Sequence, residues 1–325
     1  MTRLLLADIG GTYARFTFAS GRTIGPTWST EVCERRNVAE AIAAFIKADG
    51  GARQIDGALL ATAGPVQGGR CQLTNAPWII DEEELAHTFG LPWVRVVNDL
   101  EAVAAGLPDL PLAQTRLIGP GTGMPGAPMA IIAPGTGLGM ACLFAGPGGR
   151  CVLPSEGGHA AVAPFDKESE AIVSLLRLRY GRVSAERILS GAGLSNLYDA
   201  IVALEGGNTR TRTPVEITTG AFNGSCPPCR TTVDMFCAFL GAVAGDMALM
   251  FGALGGVFIG GGIVPRFVDH LARSGFRSHF EAKGRLQPYA ARIPTRVILH
   301  PNPAFIGLLS FAEGARSMRR STTSS

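Results

Sequence analysis

No G-x-x-x-x-G-K-[ST] loop occurs anywhere in the 325 residues, so a nucleotide would have to be held without a P-loop lysine. An H-E-x-x-H helix is missing as well, which removes a common signature of zinc hydrolases. Neither sign of charge is in excess. The 29 Lys and Arg against 26 Asp and Glu leave a net +3, scattered apart from Arg316, Arg319 and Arg320, so a nucleic-acid partner is not expected. No apolar run of about 18 residues is free of a glycine or charge break, so no membrane span is expected. The opening run Leu4, Leu5, Leu6 is too short for a signal-peptide core. Seven cysteines, Cys33, Cys71, Cys142, Cys151, Cys226, Cys229 and Cys237, are odd in number and follow no disulfide framework, which fits a reduced, cytoplasmic chain.

Glycine is plentiful. The 43 glycines cluster in short apolar turns, and with 46% hydrophobic residues they favour an α/β protein of two domains. The stretch LLLADIGGTYARFTFA (4–19) places Asp8 at the end of an apolar run, a Gly10-Gly11-Thr12 turn after it, and an alternating strand beyond. It reads either as an ordinary hairpin or as a phosphate clamp, in which backbone N–H groups bare of Cβ approach an anion. In the second case Asp8 would hold a magnesium ion through water. A second copy, MAIIAPGTGLGMACLFA (129–145), carries Gly135, Thr136, Gly137 and Gly139 at its turn and suggests a duplicated domain.

Between the copies the spacing predicts a helix after Asn37, a buried strand over 57–63, and a short helix opened by Asp81. A strand over 93–97 then ends on Asn98-Asp99, where α/β folds place ligand chemistry, although Asp99 could also be the N-cap of the helix that follows. Residues 107–128, rich in proline and glycine, mark a change of domain. Their G-x-G-x-x-G match over 121–126 contains Pro125 and opens no helix. Helical spacing covers 167–180, 184–189, 191–204, 215–222 and 230–251. Strands follow over 255–259 and 295–299, then a terminal helix over 304–318 and a loose tail.

Glu156 and His159, two glycines apart, suit the hydroxyls of a polyhydroxylated substrate better than a metal. Glu186 could equally be a solvated surface residue. Cys226-Pro227-Pro228-Cys229 has redox spacing but no preceding strand, and reads as a loop. His87, His270, His279 and His300 are expected on surfaces.

Six stretches taken together resemble the bacterial glucokinase family, within the hexokinase and actin-like superfamily. They are Asp8-Ile9-Gly10-Gly11-Thr12, Asn98-Asp99, Gly135-Thr136-Gly137-Leu138-Gly139, Leu153-Pro154-Ser155-Glu156-Gly157-Gly158-His159, Glu186-Arg187-Ile188-Leu189-Ser190-Gly191 and Gly260-Gly261-Gly262-Ile263. The resemblance implies a two-lobed actin-like (ribonuclease H-like) ATPase fold, with a small α/β domain (1–108 plus 303–325) and a larger α+β domain (109–302). It implies ATP-dependent phosphorylation of glucose on its 6-hydroxyl, with Asp99 as base and Asn98, Glu156, His159 and Glu186 on the remaining hydroxyls. The two glycine turns would take the ATP phosphates, and Gly260, Gly261 and Gly262 the adenosine. Closure over the sugar and a homodimer are implied too. The cysteine-rich zinc motif of the related repressor and sugar-kinase group is absent, while Pro134 and Ser155 depart from the family's pattern.

The rival readings are a kinase for mannose or an N-acetylated amino sugar, a sugar-sensing regulator, and an actin-like filament protein. A regulator needs a DNA-reading module, for which a strand starting by residue 3 leaves no room. A filament protein would not need the Asn98-Asp99 and Glu156-His159 pairs.

Overall fold

The computed structural model describes residues 2–51, 54–73, 76–146, 149–207 and 210–322, with 313–322 by backbone alone. The three residues 323–325 of the tail and the side chains of Arg316, Arg319 and Arg320 lie outside that description. The chain divides into two compact units. The first holds Met1–Leu110, Gly148–Val152 and His300–Ser325, and the second holds Pro111–Pro147 and Leu153–Leu299.

In the first unit β1 (Arg3–Ile9) and β2 (Tyr13–Ser20) form the expected hairpin, flanked by β3 (Thr23–Ile24) and β4 (Trp28–Glu31). Helix α1 (Val38–Ala48) follows. It starts where Asn37 Oδ1 accepts from Glu40 N at 2.9 Å, and the chain turns away at Gly50 and Gly51. Next comes β5 (Gly57–Thr62), the small sheet β6 (Val66–Gln67), β7 (Arg70–Gln72) and β8 (Ile79–Asp81), and α2 (Glu82–Phe89), capped by Asp81 and closed by left-handed Gly90. Strand β9 (Val94–Asn98) then runs directly into α3 (Asp99–Ala105).

The main sheet has the order β3-β2-β1-β5-β9, with β1, β5 and β9 parallel. All six residues of β5 are buried, as expected of a parallel strand covered on both faces. Strand alternation then sorts two cores. Leu5, Ala7, Ile9, Leu60 and Val96 face Ile42 and Phe45 of α1, whereas Leu4, Leu6, Leu59 and Val97 face the carboxyl-terminal helix, through Phe305 and Leu308.

The second unit opens with β10 (Thr115–Ile118), a strand not anticipated inside the proline-rich stretch. It forms because 115–118, of which only Ile118 is buried, pairs antiparallel with a later strand. The hairpin β11 (Met129–Pro134) and β12 (Leu138–Gly146) follows, then β13 (Gly149–Ser155), which enters this unit at Leu153. Helices α4 (Lys167–Tyr180), α5 (Gly191–Leu204), α6 (Pro214–Phe222) and α7 (Pro227–Phe251) come next. They are followed by β14 (Gly256–Ile259), α8 (Val268–Leu271), α9 (Phe276–Glu281), α10 (Gln287–Ala291) and β15 (Thr295–Ile298). The strand order β12-β11-β14-β15, with β11, β14 and β15 parallel, repeats the β2-β1-β5-β9 pattern of the first unit. The duplication suggested by the two glycine hairpins is thus visible in the topology.

Helix α7 is long and apolar enough to cross a membrane by length and composition. However, 72% of its most apolar window is buried inside the protein, where Phe236, Phe239 and Leu240 pack with Phe276 and Phe280 of α9. Two expectations are corrected here. Cys226-Pro227-Pro228-Cys229 is not a loop: Pro227 and Pro228 open α7, a position where a missing N–H costs nothing. His270 is not a surface residue; it is buried, with Nε2 2.7 Å from Asp234 Oδ1.

The chain ends in α11 (Pro303–Thr322), which returns to the first unit and packs across α3. The two helices meet backbone to backbone, because a Cβ at Gly307 would overlap the carbonyl oxygen of Ala102. Gly307→Ala is expected to lower stability by about 2–3 kcal/mol, an overpacking effect, and to lower activity by moving α3, the helix that carries Asp99. Urea unfolding alongside a kinase assay checks both.

Candidate active site

In the first unit the residues singled out from sequence gather at the carboxyl ends of β1 and β9, with β5 between them. Asp8 is the second-last residue of β1 and lies in register with Arg15 across the hairpin, Oδ2 to Nη1 3.5 Å. Burial raises its carboxyl above the ordinary range, against the pull of the Arg15 guanidinium. At the hairpin tip Gly10 N donates to Tyr13 O at 2.9 Å. The amides of Gly11 and Thr12 have no protein acceptor among the described residues, which leaves two donors for an anion.

Asn98, rather than Asp99, is the N-cap of α3. Its Oδ1 accepts from Leu100 N at 3.0 Å and Glu101 N at 3.3 Å, while its Nδ2 donates to Gly64 O at 3.2 Å. Asp99 begins the helix, and its Oδ1 also accepts from Leu100 N, at 2.8 Å. Its carboxyl is raised to about 6, first by burial and then by the negative charge of Asp8. A carboxylate with that proton affinity is suited to general-base work near neutral pH.

In the second unit the residues expected to bind form one contiguous set. The turn between β11 and β12 closes with Gly135 N to Gly137 O at 2.8 Å, and the Thr136 and Gly137 amides have no protein acceptor among the described residues. The amino end of α5 abuts this turn, with Gly191 N donating to Gly135 O at 2.9 Å, so the helix presents its positive end there. Glu186 lies in a single 3₁₀ turn, Ala185–Arg187, in place of the longer helix expected over 184–189. One of its carboxylate oxygens accepts from Leu138 N at 2.9 Å, beside Gly137, where a Cβ would stand 2.6 Å from that oxygen.

His159 Nδ1 is 3.9 Å from the other Glu186 oxygen, and its Nε2 is 3.8 Å from Glu156 Oε2. The Glu156 side chain is 92% exposed and the His159 side chain 60%, so both are open to a ligand. Gly158 lets the turn approach β12, since a Cβ there would overlap the Leu138 carbonyl. Ser155 Oγ accepts from Gly157 N at 3.0 Å and so fixes the same turn. Of the glycine triplet, Gly261 lies with φ +78° against the Pro134 carbonyl, which brings 260–262 to the edge of the phosphate-type turn.

Several contributors had no clear sequence signal. Arg15 becomes meaningful only in the Asp8 register. Arg182 donates from Nη1 to His159 O at 2.8 Å, across a sequence gap that spacing could not bridge. A cavity of about 410 Å³ is lined by Thr218, Thr219, Phe222 and Asn223 from α6 and its carboxyl end, and by Arg266 and Phe267, which follow the glycine triplet in the chain. Among the described residues no group of three or more His, Cys, Asp or Glu could hold a metal ion by itself.

A family model described as Glucokinase matches residues 5–315. The glucokinase of Paramagnetospirillum magneticum is 42% identical over 308 residues, covering 94% of this chain and 96% of that protein. Among solved structures, a glucokinase from an Antarctic psychrotroph superposes with a TM-score of 0.88 at 32% identity, covering 96% of this chain and 99% of that one. A glucokinase from Balamuthia mandrillaris in complex with glucose shares the fold, with a TM-score of 0.75 at 22% identity, covering 96% and 94%. The fold is the actin-like ATPase fold, α/β in both units. A family match over nearly the whole length, joined to relatives this similar, establishes that the chain belongs to the glucokinase family.

Proposed function

We propose that Asp99 accepts the proton of the glucose 6-hydroxyl as that oxygen takes the γ-phosphoryl group of ATP. The chain is an ATP-dependent glucokinase that forms glucose 6-phosphate and ADP. The observation that carries the assignment of Asp99 is its place at the first residue of α3, half-buried and raised in proton affinity by a second carboxylate, with Asn98 as the N-cap. General-base help of this kind contributes about 10²- to 10⁴-fold. Asn98, Glu156, His159 and Glu186 hold the remaining hydroxyls, and an imidazole between two carboxylates can donate to one sugar oxygen and accept from another.

The free amides at Gly11 and Thr12, and at Thr136 and Gly137, are the donors for the phosphates, with Gly10, Gly135 and Gly139 shaping the two turns. Magnesium supplies charge neutralisation to the phosphates when bound. Asp8 suits it as a ligand through water, being a carboxylate with a single cationic partner and a like charge nearby. Gly260, Gly261 and Gly262 lead to the cavity on α6, which takes the adenosine against the exposed ring of Phe222. Phe222→Ala is expected to raise the KM for ATP several-fold with little change in kcat, as loss of uniform binding does. Initial rates against ATP concentration check this.

The seven thiols, all unpaired, support a reduced cytoplasmic setting, and the even charge balance supports a chain without nucleic-acid or membrane partners. A homodimer rests on the family resemblance and is tested by sedimentation. The decisive assay for substrate is a panel of hexoses with ATP and magnesium and coupled detection of ADP. Glucose is expected to give the highest kcat/KM. Preference for mannose or an N-acetylated amino sugar would overturn the assignment.

A further inference from the structure

One motif is unused by this chemistry: Cys226-Pro227-Pro228-Cys229, at the amino end of the 25-residue helix α7. Cys226 is the N-cap and Cys229 lies in the first turn, three positions on, a spacing that brings Cβ atoms to about 5–6 Å. Both side chains rest on the same bare spot of α6. A Cβ at Gly220 would be 3.0 Å from Cys226 Cβ, 3.3 Å from Cys229 Sγ and 3.6 Å from Cys229 Cβ. Only a small backbone adjustment separates such a pair from the roughly 3.5–4.5 Å between Cβ atoms in a disulfide.

We propose that Cys226 and Cys229 form a reversible intramolecular disulfide, a redox modification site that acts on the nucleotide-binding side of α6. The two thiols differ in the way the chemistry requires. Cys226 is 8% exposed at the positive end of a helix, whereas Cys229 is fully buried. The Arg212 guanidinium, held by its Nε donating to Tyr198 Oη at 3.0 Å, offsets only part of the cost of ionising Cys229. Burial, with the neighbouring Cys226 thiol, pushes the Cys229 thiol up to about 12. Cys226, the sulfur that an outside reagent can reach, therefore starts the exchange and Cys229 completes it.

The oxidant is a low-molecular-weight disulfide. The Cys226 thiolate attacks one of its sulfurs, forming a mixed disulfide and releasing one small thiol. Cys229, giving up its proton, then attacks Sγ of Cys226 and releases the second. Two protein thiols lose two protons and two electrons, and the reagent disulfide becomes two thiols.

The consequence follows from position and rests on the reading of the α6 cavity as the adenosine pocket. Closing the pair draws Cys226 toward Cys229 and strains residues 223–226, whose first member, Asn223, lines that cavity with Phe222. Occupancy and effect are therefore read separately. Full-length protein is equilibrated with oxidised glutathione, free thiols are trapped with N-ethylmaleimide, and the peptides are weighed. The expected product is two hydrogens lighter, has two fewer free thiols than the seven of the reduced chain, and leaves only Cys226 and Cys229 unlabelled.

Its KM for ATP is expected to rise several-fold and to return on reduction with dithiothreitol, while Cys226→Ser shows neither change. Labelling of both thiols after oxidation, or an equal KM change in Cys226→Ser, would overturn the site. A disulfide that forms without moving the KM for ATP would overturn the coupling to the nucleotide. If Phe222→Ala were also silent, the fault would lie with the adenosine reading beneath it.

Discussion

Asp99→Asn is expected to abolish turnover, by about 10²- to 10⁴-fold or more, while glucose still binds and the folded protein becomes more stable. The first half follows from removing the base without removing its hydrogen-bonding shape. The second follows from the sign of the carboxyl's shift. Asp99 is raised to about 6 by burial and by Asp8, so the fold disfavours its charged form. Its contribution to stability is fully present below the unfolded value of about 4 and is lost as pH rises through about 6. Near pH 7 the native enzyme carries that penalty, up to about 3 kcal/mol for a shift of this size, and asparagine relieves it. Thermal melts at neutral pH without ligands should place the variant a few degrees above the parent, and calorimetry should find glucose affinity retained. A variant that is inactive and also destabilised would point to structural damage instead.

Gly261→Ala is expected to lower kcat/KM for ATP by about 10- to 100-fold, far more than Gly262→Ala, its immediate neighbour. Two costs coincide at Gly261. Its φ of +78° is disfavoured for a residue with a Cβ by about 1–2 kcal/mol, and that Cβ would overlap the Pro134 carbonyl. The carbonyl cannot swing aside, because Pro134 ends β11 in the middle of the sheet and pairs with Leu138. Relief must come from moving the glycine triplet or the phosphate-type turn, and both belong to the proposed nucleotide site. Gly262 has ordinary φ and open space where a Cβ would go. Steady-state kinetics of the two variants side by side distinguishes a local steric requirement from a general need for glycine. Equal losses would contradict the geometry.

How much of this was legible beforehand depended on the range of the interactions. The hairpins, the Asn37 and Asp81 caps and the buried run of β5 are local patterns, and a local pattern is written in consecutive residues. The duplicated turns could be read for the same reason. What escaped was non-local. Strand β10 is stabilised by pairing with β15, some 180 residues away, and His270 is buried by α6 and α7 packing rather than by anything in its own helix. Asn98 and Asp99 show the limit most clearly. The spacing allows Asp99 to cap α3, and only the backbone geometry at Asn98 assigns the cap there instead. Arg15, Arg182 and the α6 cavity were invisible because each acquires meaning from a partner on another element.

The most direct test of Asp99 as the base is the pH dependence of kcat/KM for glucose at saturating ATP and magnesium. A base must be ionised to act, so the rate should climb tenfold per pH unit below an apparent pKa of about 6 and level off above it, with the residual rate of Asp99→Asn lacking that limb. A wild-type profile that stays flat well below pH 6, or a limb that survives in Asp99→Asn, would contradict the assignment.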